Sequence, residues 1–115
     1  MSEIILEVIE SYNQYLDKVV NGSTTIADLL RTERISDAMN IILDFTEGMG
    51  WLTDVSILLK QNDVSINLRV EQIHEFLIEI NTGLINQDYV LVADMFEYEI
   101  APFFESVEPI NTVSD

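Results

Sequence analysis

Hydrophobic residues recur every three or four positions along most of this chain, which is the period of an amphipathic α-helix. The first run predicts a helix over 3–20 and consists of Ile4, Ile5, Val8, Ile9, Tyr12, Tyr15, Leu16 and Val19. The Asn-Gly pair at 21–22 is typical of a helix end, so we expect the helix to stop there. Thr24 or Thr25 can then cap a short helix over 25–32 by accepting a hydrogen bond from a free amide.

A second amphipathic pattern predicts a long helix over 33–61. Its apolar positions are Ile35, Met39, Ile42, Phe45, Met49, Leu52, Val55 and Leu59. The stripe keeps its phase across Gly48 and Gly50, which predicts that both glycines lie inside the helix despite their low helix propensity. A close approach by a neighbouring helix, with Trp51 beside it, would explain them. A break of the helix at Gly50 is the alternative.

The third pattern repeats with alternating steps of four and three, like one seam of a coiled coil. It predicts a helix over 65–85 and comprises Ile66, Val70, Ile73, Leu77, Ile80 and Leu84. Asp63 or Ser65 is the expected N-cap. The opposite face carries Glu71, Glu75 and Glu79.

The last helix is predicted over 89–107, with Asp88 as its N-cap. Its apolar positions form two adjacent faces, one through Phe96 and Phe103 and the other through Tyr98. Pro102 lacks an amide hydrogen and would clash with a carbonyl of the preceding turn, so we expect the helix to kink or end near it.

Together these patterns predict an all-α protein, an antiparallel four-helix bundle with the 25–32 segment as a possible extra short helix. Four glycines and two prolines are too few for the frequent turns of an all-β fold. A chain of 115 residues that is 48% hydrophobic is expected to form one helical-bundle domain over 1–115.

The composition excludes several classes of function. Without cysteine the chain has no disulfide, no thiolate zinc site and no cysteine nucleophile. The N-terminal segment is acidic, unlike a secretory signal, and no apolar run approaches the roughly 18 residues of a membrane span. We therefore expect a soluble cytoplasmic protein.

The charge distribution is strongly asymmetric. The formal net charge is −16, and after Arg69 the chain has ten acidic residues and no Lys or Arg. Such a surface repels phosphate backbones and anionic lipid, so neither nucleic acid nor a membrane is an expected partner. Two interpretations remain: the charge maintains solubility, or it forms a face that binds something basic, including by DNA mimicry.

Two arrangements of acidic residues bear on catalysis. Glu71 and His74 have the Glu-x-x-His spacing of di-iron bundles, but such a site needs two of these pairs and the chain has one histidine. The pairs Asp44/Glu47 and Asp94/Glu97 are similar to the magnesium-binding helices of all-α nucleotide pyrophosphohydrolases. That reading requires Arg31, Arg34, Lys60 and Arg69 to converge on them. The sequence predicts no catalytic residue, bound metal or cofactor.

One segment carries a family resemblance. The stretch DYVLVADMFEYEIAPFF resembles a pattern, D-Y-V-L-x-A-D-x-x-E-Y-E-x-x-P, of small acidic all-helical proteins from Gram-positive bacteria, and ILDFTEGMGWL is similar to their middle segment. The resemblance implies an all-helical fold, assigns no activity, and groups the polar and aromatic residues of the pattern, Pro102 included.

The favoured hypothesis is a non-enzymatic interaction or adaptor protein, chaperone-like and a homo-oligomer. A dimer is expected because one bundle seam would cover only one of the two apolar faces of the last helix. The alternative is a metal-dependent hydrolase that uses the helical Asp/Glu pairs. The candidate interaction surface comprises Asp88, Tyr89, Asp94, Glu97, Tyr98, Glu99 and Phe103. We expect its aromatic residues to pack and its carboxylates to be solvated and unpartnered, since no Lys or Arg occurs in this segment.

Overall fold

Four antiparallel helical segments make up the computed structural model, which describes residues 2–111. They are α1 (Glu3–Arg31), α2 (Ile35–Gln61), α3 (Val70–Ile85) and a last segment in three parts: α4 (Tyr89–Met95), a π-helical turn (Phe96–Ile100) and α5 (Ala101–Glu105). The all-α bundle predicted from the sequence is confirmed. Helix α1 packs along both α2 and the last segment, and α3 closes the bundle between α2 and α4.

Helix α1 is longer than the sequence pattern predicted. The predicted helix end at 21–22 is wrong. Residues 25–32, predicted as a separate short helix, belong to the end of α1. Beyond Leu16 and Val19 the buried side continues through Ser23, Ile26 and Leu30 at helical spacing, so tertiary burial outweighs the Asn-Gly signal. The hydroxyls of Thr24 and Thr25 donate to the carbonyl of Asn21, 2.9 and 3.0 Å away, and cap nothing.

The first three helices end in the same way, with a residue other than glycine in the left-handed region. These residues are Glu33 (φ 62°), Asp63 (φ 62°) and Gln87 (φ 55°). In each case the next amide donates to the carbonyl five residues back: Arg34 N to Leu29 O (2.9 Å), Val64 N to Leu59 O (2.9 Å) and Asp88 N to Gly83 O (2.8 Å). This is the Schellman arrangement, which usually places glycine at the left-handed position and is therefore hard to find in this sequence.

Helix α2 runs without interruption through Gly48 and Gly50, as predicted. A side chain at Gly48 would collide with the Tyr15 ring, whereas the position of a side chain on Gly50 is open. Tyr15 in turn meets Trp51 edge to face, with ring centroids 5.5 Å apart. Gly48 thus leaves room for the Tyr15 side chain of α1 against α2.

The segment between α2 and α3 has no regular secondary structure, so α3 begins at Val70 and not at 65. Its N-cap is Arg69, without a side-chain hydrogen bond, and neither Asp63 nor Ser65 caps it. Val64 and Leu68 are buried, and alternate apolar positions of this kind hold a chain extended against a core.

The last helix passes through Pro102 and ends at Glu105, and the irregularity lies just before the proline. The Ala101 amide donates to the Phe96 carbonyl, the five-residue step of a π-turn. The extra residue advances the buried face by one position. Phe104 is consequently only 1% exposed, while Phe103, which the regular helical pattern placed on the inner face, is half-buried.

Asparagine side chains fasten the segment after α5. The Asn13 side chain donates to the carbonyl of Ile110 (2.9 Å) and accepts from its amide (2.8 Å). Asn67 accepts from the amide of Glu108 at 3.1 Å. These bonds join residues distant in sequence, so no local pattern indicates them.

Two buried side-chain oxygens have no hydrogen-bond partner within residues 2–111, the hydroxyls of Tyr12 and Ser56. Tyr12 is completely buried, and among residues 2–111 nothing accepts or donates a hydrogen bond to its hydroxyl. Burial raises the pKa of Tyr12 to about 12, because the phenolate is excluded from water.

Replacing Tyr12 by Phe should leave the free energy of unfolding unchanged at neutral pH or raise it by about 1 kcal/mol, since an unpaired buried hydroxyl is removed. The pH dependence is the sharper test. An unfolded tyrosine ionises near 10.0, so the folded state with its pKa of about 12 loses stability as the pH rises between these values. Urea unfolding at neutral and alkaline pH should show a smaller alkaline loss for Tyr12→Phe than for the wild type. An equal loss would mean that Tyr12 does not titrate as a buried group.

Candidate functional site

Arg31, at the end of α1, brings together three of the predicted site residues. Its guanidinium donates to Asp94 (2.9 Å) and Glu97 (2.8 Å), and its Cζ lies 5.7 Å from the centre of the Tyr98 ring. We call Arg31, Asp94, Glu97 and Tyr98 the Arg31 cluster. The expectation that these carboxylates are unpartnered is wrong, because folding supplies a base from 63 and 66 residues away.

Three residues of the Arg31 cluster, Arg31, Glu97 and Tyr98, have shifted pKa values. Each shift favours the protonation state that the group already has at neutral pH. A hydrogen bond from Tyr98 and then the Arg31 guanidinium lower the pKa of Glu97 below its usual 4.5. Asp94 and Glu97 raise the pKa of Arg31, and the hydrogen bond to Glu97 raises that of Tyr98. None of these three shifts brings a pKa closer to pH 7, where a general acid or base works best.

Asp88 and Tyr89 lie at the end of the bundle near Arg31. Asp88 caps α4 as predicted, accepting from the Leu91 amide at 3.1 Å. Tyr89 lines a surface cleft of about 580 Å³. The cleft is also lined by Leu30, Arg31, Glu33, Ile35, Gln87, Asp88 and Val90.

Phe103 lies apart from the Arg31 cluster. Its ring meets Phe76 of α3 and Phe104 edge to face, at 5.4 and 5.0 Å, and the Arg69 guanidinium carbon is 6.0 Å from its centre. Glu99 is exposed to solvent. Six of the seven candidate residues are therefore distributed over the cleft, the Arg31 cluster and the α3 side of the last helix, and Glu99 belongs to none of these. The role of the seven in an interaction remains a prediction.

The other pairs identified in the sequence, Asp44/Glu47 and Glu71/His74, lie outside the Arg31 cluster. Asp44 lies near Tyr15, whose pKa is raised by burial first and by this carboxylate second. Glu71 and His74 are both exposed on α3. Within residues 2–111, no three acidic or histidine side chains come close enough to hold one metal ion. The Asp94/Glu97 pair, which the hydrolase alternative requires, is occupied by Arg31.

Large hydrophobic side chains are exposed on α1, α2, α3 and the last segment, and of these only Ile4 and Met39 lie on stripes that the sequence predicted to face the core. Met39 is one such residue: Ala38 occupies the core position expected for it. The exposed residues are Ile4 and Leu6 on α1; Met39, Leu43, Trp51, Ile57 and Leu58 on α2; Ile78 and Ile85 on α3; and Val90, Leu91 and Tyr98 on the last segment. Of the helices within the described chain, none has the length and apolar character to span a membrane.

Neutralising the two carboxylates by Asp94→Asn with Glu97→Gln should lower the melting temperature at neutral pH and low salt, because Arg31 loses both partners. The sequence alone suggested little change or a gain from reduced repulsion. Glu97 has a lowered pKa, so its contribution is present above 4.5 and is lost as the pH falls through its folded value. The difference between wild type and variant should therefore shrink in acid.

Two comparisons make this measurement specific. With Arg31→Met as the background, the same double substitution should no longer lower the melting temperature. Glu71→Gln with Glu75→Gln removes two exposed acids on α3 and should not lower it either. If all these double variants behave alike, the ion pairs add nothing beyond the overall charge.

Comparison with known proteins gives a family and no relative of assigned activity. A family model described as "Domain of unknown function (DUF8042)" matches residues 7–110, which include both segments of the resemblance noted above. No curated protein and no solved structure matches the chain.

Proposed function

The chain belongs to the family of the domain of unknown function DUF8042, and from its surface we propose a non-enzymatic protein-interaction or adaptor role. The observation that carries this proposal is the number and order of its exposed apolar side chains. Single exposed hydrophobic residues are ordinary, but rows at helical spacing resemble the faces by which helices recognise each other.

The charge of the chain supports a basic partner. A net charge of −16 accelerates association with positively charged surfaces and opposes binding to nucleic acid. The same charge opposes close contact between two copies at low ionic strength. The homodimer and the cytoplasmic location expected from the sequence remain predictions, and sedimentation at low and high salt tests the former.

Quantitative affinity capture from the cells that make this protein tests the role. We expect the wild-type bait to retain a basic protein in near-stoichiometric amount. Two folded variant baits, Ile78→Ser on α3 and Ile4→Ser on α1, should retain different amounts of this partner, because the two exposed side chains lie on different helices. An unrelated acidic helical protein serves as the charge control, and equal recovery on that control would contradict the proposal.

Thermal melting with magnesium or manganese tests the hydrolase alternative. A ligand that binds the folded state raises its melting temperature. We expect no increase, because Arg31 already occupies Asp94 and Glu97. An increase that disappears in Asp44→Asn with Glu47→Gln would favour the hydrolase instead.

A further inference from the structure

Helix α2 carries a row of apolar and open positions on the side away from α1. Leu43 and Ile57 are 60% and 52% exposed, and Gly50, seven residues from each, is exposed with open space around it. Met39 extends the row by one turn. Ile57 is nine residues beyond Gly48, and nine steps of about 100° place it opposite the contact of Gly48 with Tyr15 on α1.

Helix α3 carries a matching row. Ile78 and Ile85 are 57% and 73% exposed and seven residues apart. Immediately before them, Leu77 and Leu84 are half-buried. The positions one residue earlier, Phe76 and Gly83, contact the last segment through Phe103 and Val92.

The two rows therefore border one groove. Each step along α3 turns by about 100°, so Ile78 and Ile85 lie on the side away from α4. Helix α3 contacts both α4 and α2, and α2 contacts both α1 and α3. A row away from α4 on α3 and a row away from α1 on α2 therefore both flank the contact between α2 and α3. We call this the α2–α3 groove, formed by Met39, Leu43, Gly50 and Ile57 of α2 and by Leu77, Ile78, Leu84 and Ile85 of α3.

Exposed acidic side chains border the α2–α3 groove, and the exposed Lys60, three positions beyond Ile57, lies at its end. Along the two helices, the exposed acids three or four positions from its residues are Glu47 and Asp54 on α2 and Glu75 on α3, and Glu71 lies seven positions before Ile78 on the same side of α3. The sequence has no Lys or Arg between Arg34 and Lys60 or after Arg69. A second copy of the chain would bring a further −16 of charge to this face, so charge complementarity favours a cationic occupant.

We infer that the α2–α3 groove binds an amphipathic helix of another protein, with apolar residues on one face and Lys or Arg beside them. Such a helix lays residues spaced by three, four and seven into the groove, and Gly50 lets its backbone approach closely. This inference rests on the proposed interaction function and specifies its partner.

Fluorescence anisotropy with a labelled Leu/Lys peptide of about 14 residues, its leucines at helical spacing, provides the test. A scrambled peptide of the same composition controls for charge alone. We expect the wild-type chain to bind the amphipathic peptide and to bind the scrambled one at least about tenfold more weakly, with both weakened by salt.

Two glycine variants form a matched pair for locating the site. Gly50→Lys and Gly22→Lys each add one positive charge and replace a helical glycine at an open position, so both should stay folded. Gly50 lies in the groove and Gly22 on α1. We expect Gly50→Lys to weaken binding by about tenfold or more and Gly22→Lys to change it by less than about twofold.

Several outcomes would overturn this inference. Equal binding of both peptides would show attraction by charge alone, and equal loss in both glycine variants would place the site elsewhere. Absence of peptide binding, or self-association abolished by Gly50→Lys, would also contradict it. If capture from cells still yields a specific partner that Gly50→Lys retains, the proposed interaction function stands and only the groove is wrong.

Discussion

Replacing Phe96 by Ala should lower the free energy of unfolding by roughly 3–5 kcal/mol, the usual cost of removing a buried phenylalanine. Phe96 is fully buried, and its ring meets Phe45 of α2 edge to face with centroids 5.1 Å apart. It also begins the π-turn whose carbonyl accepts from Ala101. The lost side chain therefore leaves a cavity in the core beside the Phe45 ring.

Urea unfolding monitored by circular dichroism measures this cost. Phe103→Ala is the matched control, because Phe103 is half-buried on the same segment and should cost less. A loss below about 1 kcal/mol for Phe96→Ala would contradict the close packing of this buried ring against Phe45.

Replacing Gly48 by Leu should destabilise the chain by roughly 1–3 kcal/mol through overpacking. Even the first carbon of the new side chain collides with the Tyr15 ring, which must then leave its edge-to-face contact with Trp51. Gly50→Ala, two positions away on open surface, should instead stabilise by up to about 1 kcal/mol through helix propensity.

A double-mutant cycle identifies the colliding group. In a Tyr15→Ala background the Gly48 substitution should cost less than in the wild type, because the ring is gone. If Gly48→Leu costs the same with and without Tyr15, or stabilises the wild type, collision with the Tyr15 ring is not the reason that a side chain is unfavourable at position 48.

The candidate site shows where local patterns stop being informative. Asp88 was identified as a cap from its position before an apolar run, since capping is a contact over three residues. The partner of Asp94 and Glu97 could not be identified in this way. Arg31 reaches them only because α1 continues past Gly22 to the level of the last segment, and no periodicity within 88–104 encodes that length.

The sequence by itself determined the all-α class, the three long amphipathic segments, the continuity of α2 and the excess of negative charge, because each follows from local spacing or composition. The tertiary structure alone decided the full length of α1, the π-turn that exchanges Phe103 for Phe104 in the core, and the ion pairs of Arg31. It also decided which apolar residues stay exposed along α2 and α3. These features depend on which helix faces which, and contact between segments distant in sequence outweighs the weak preferences of single residues.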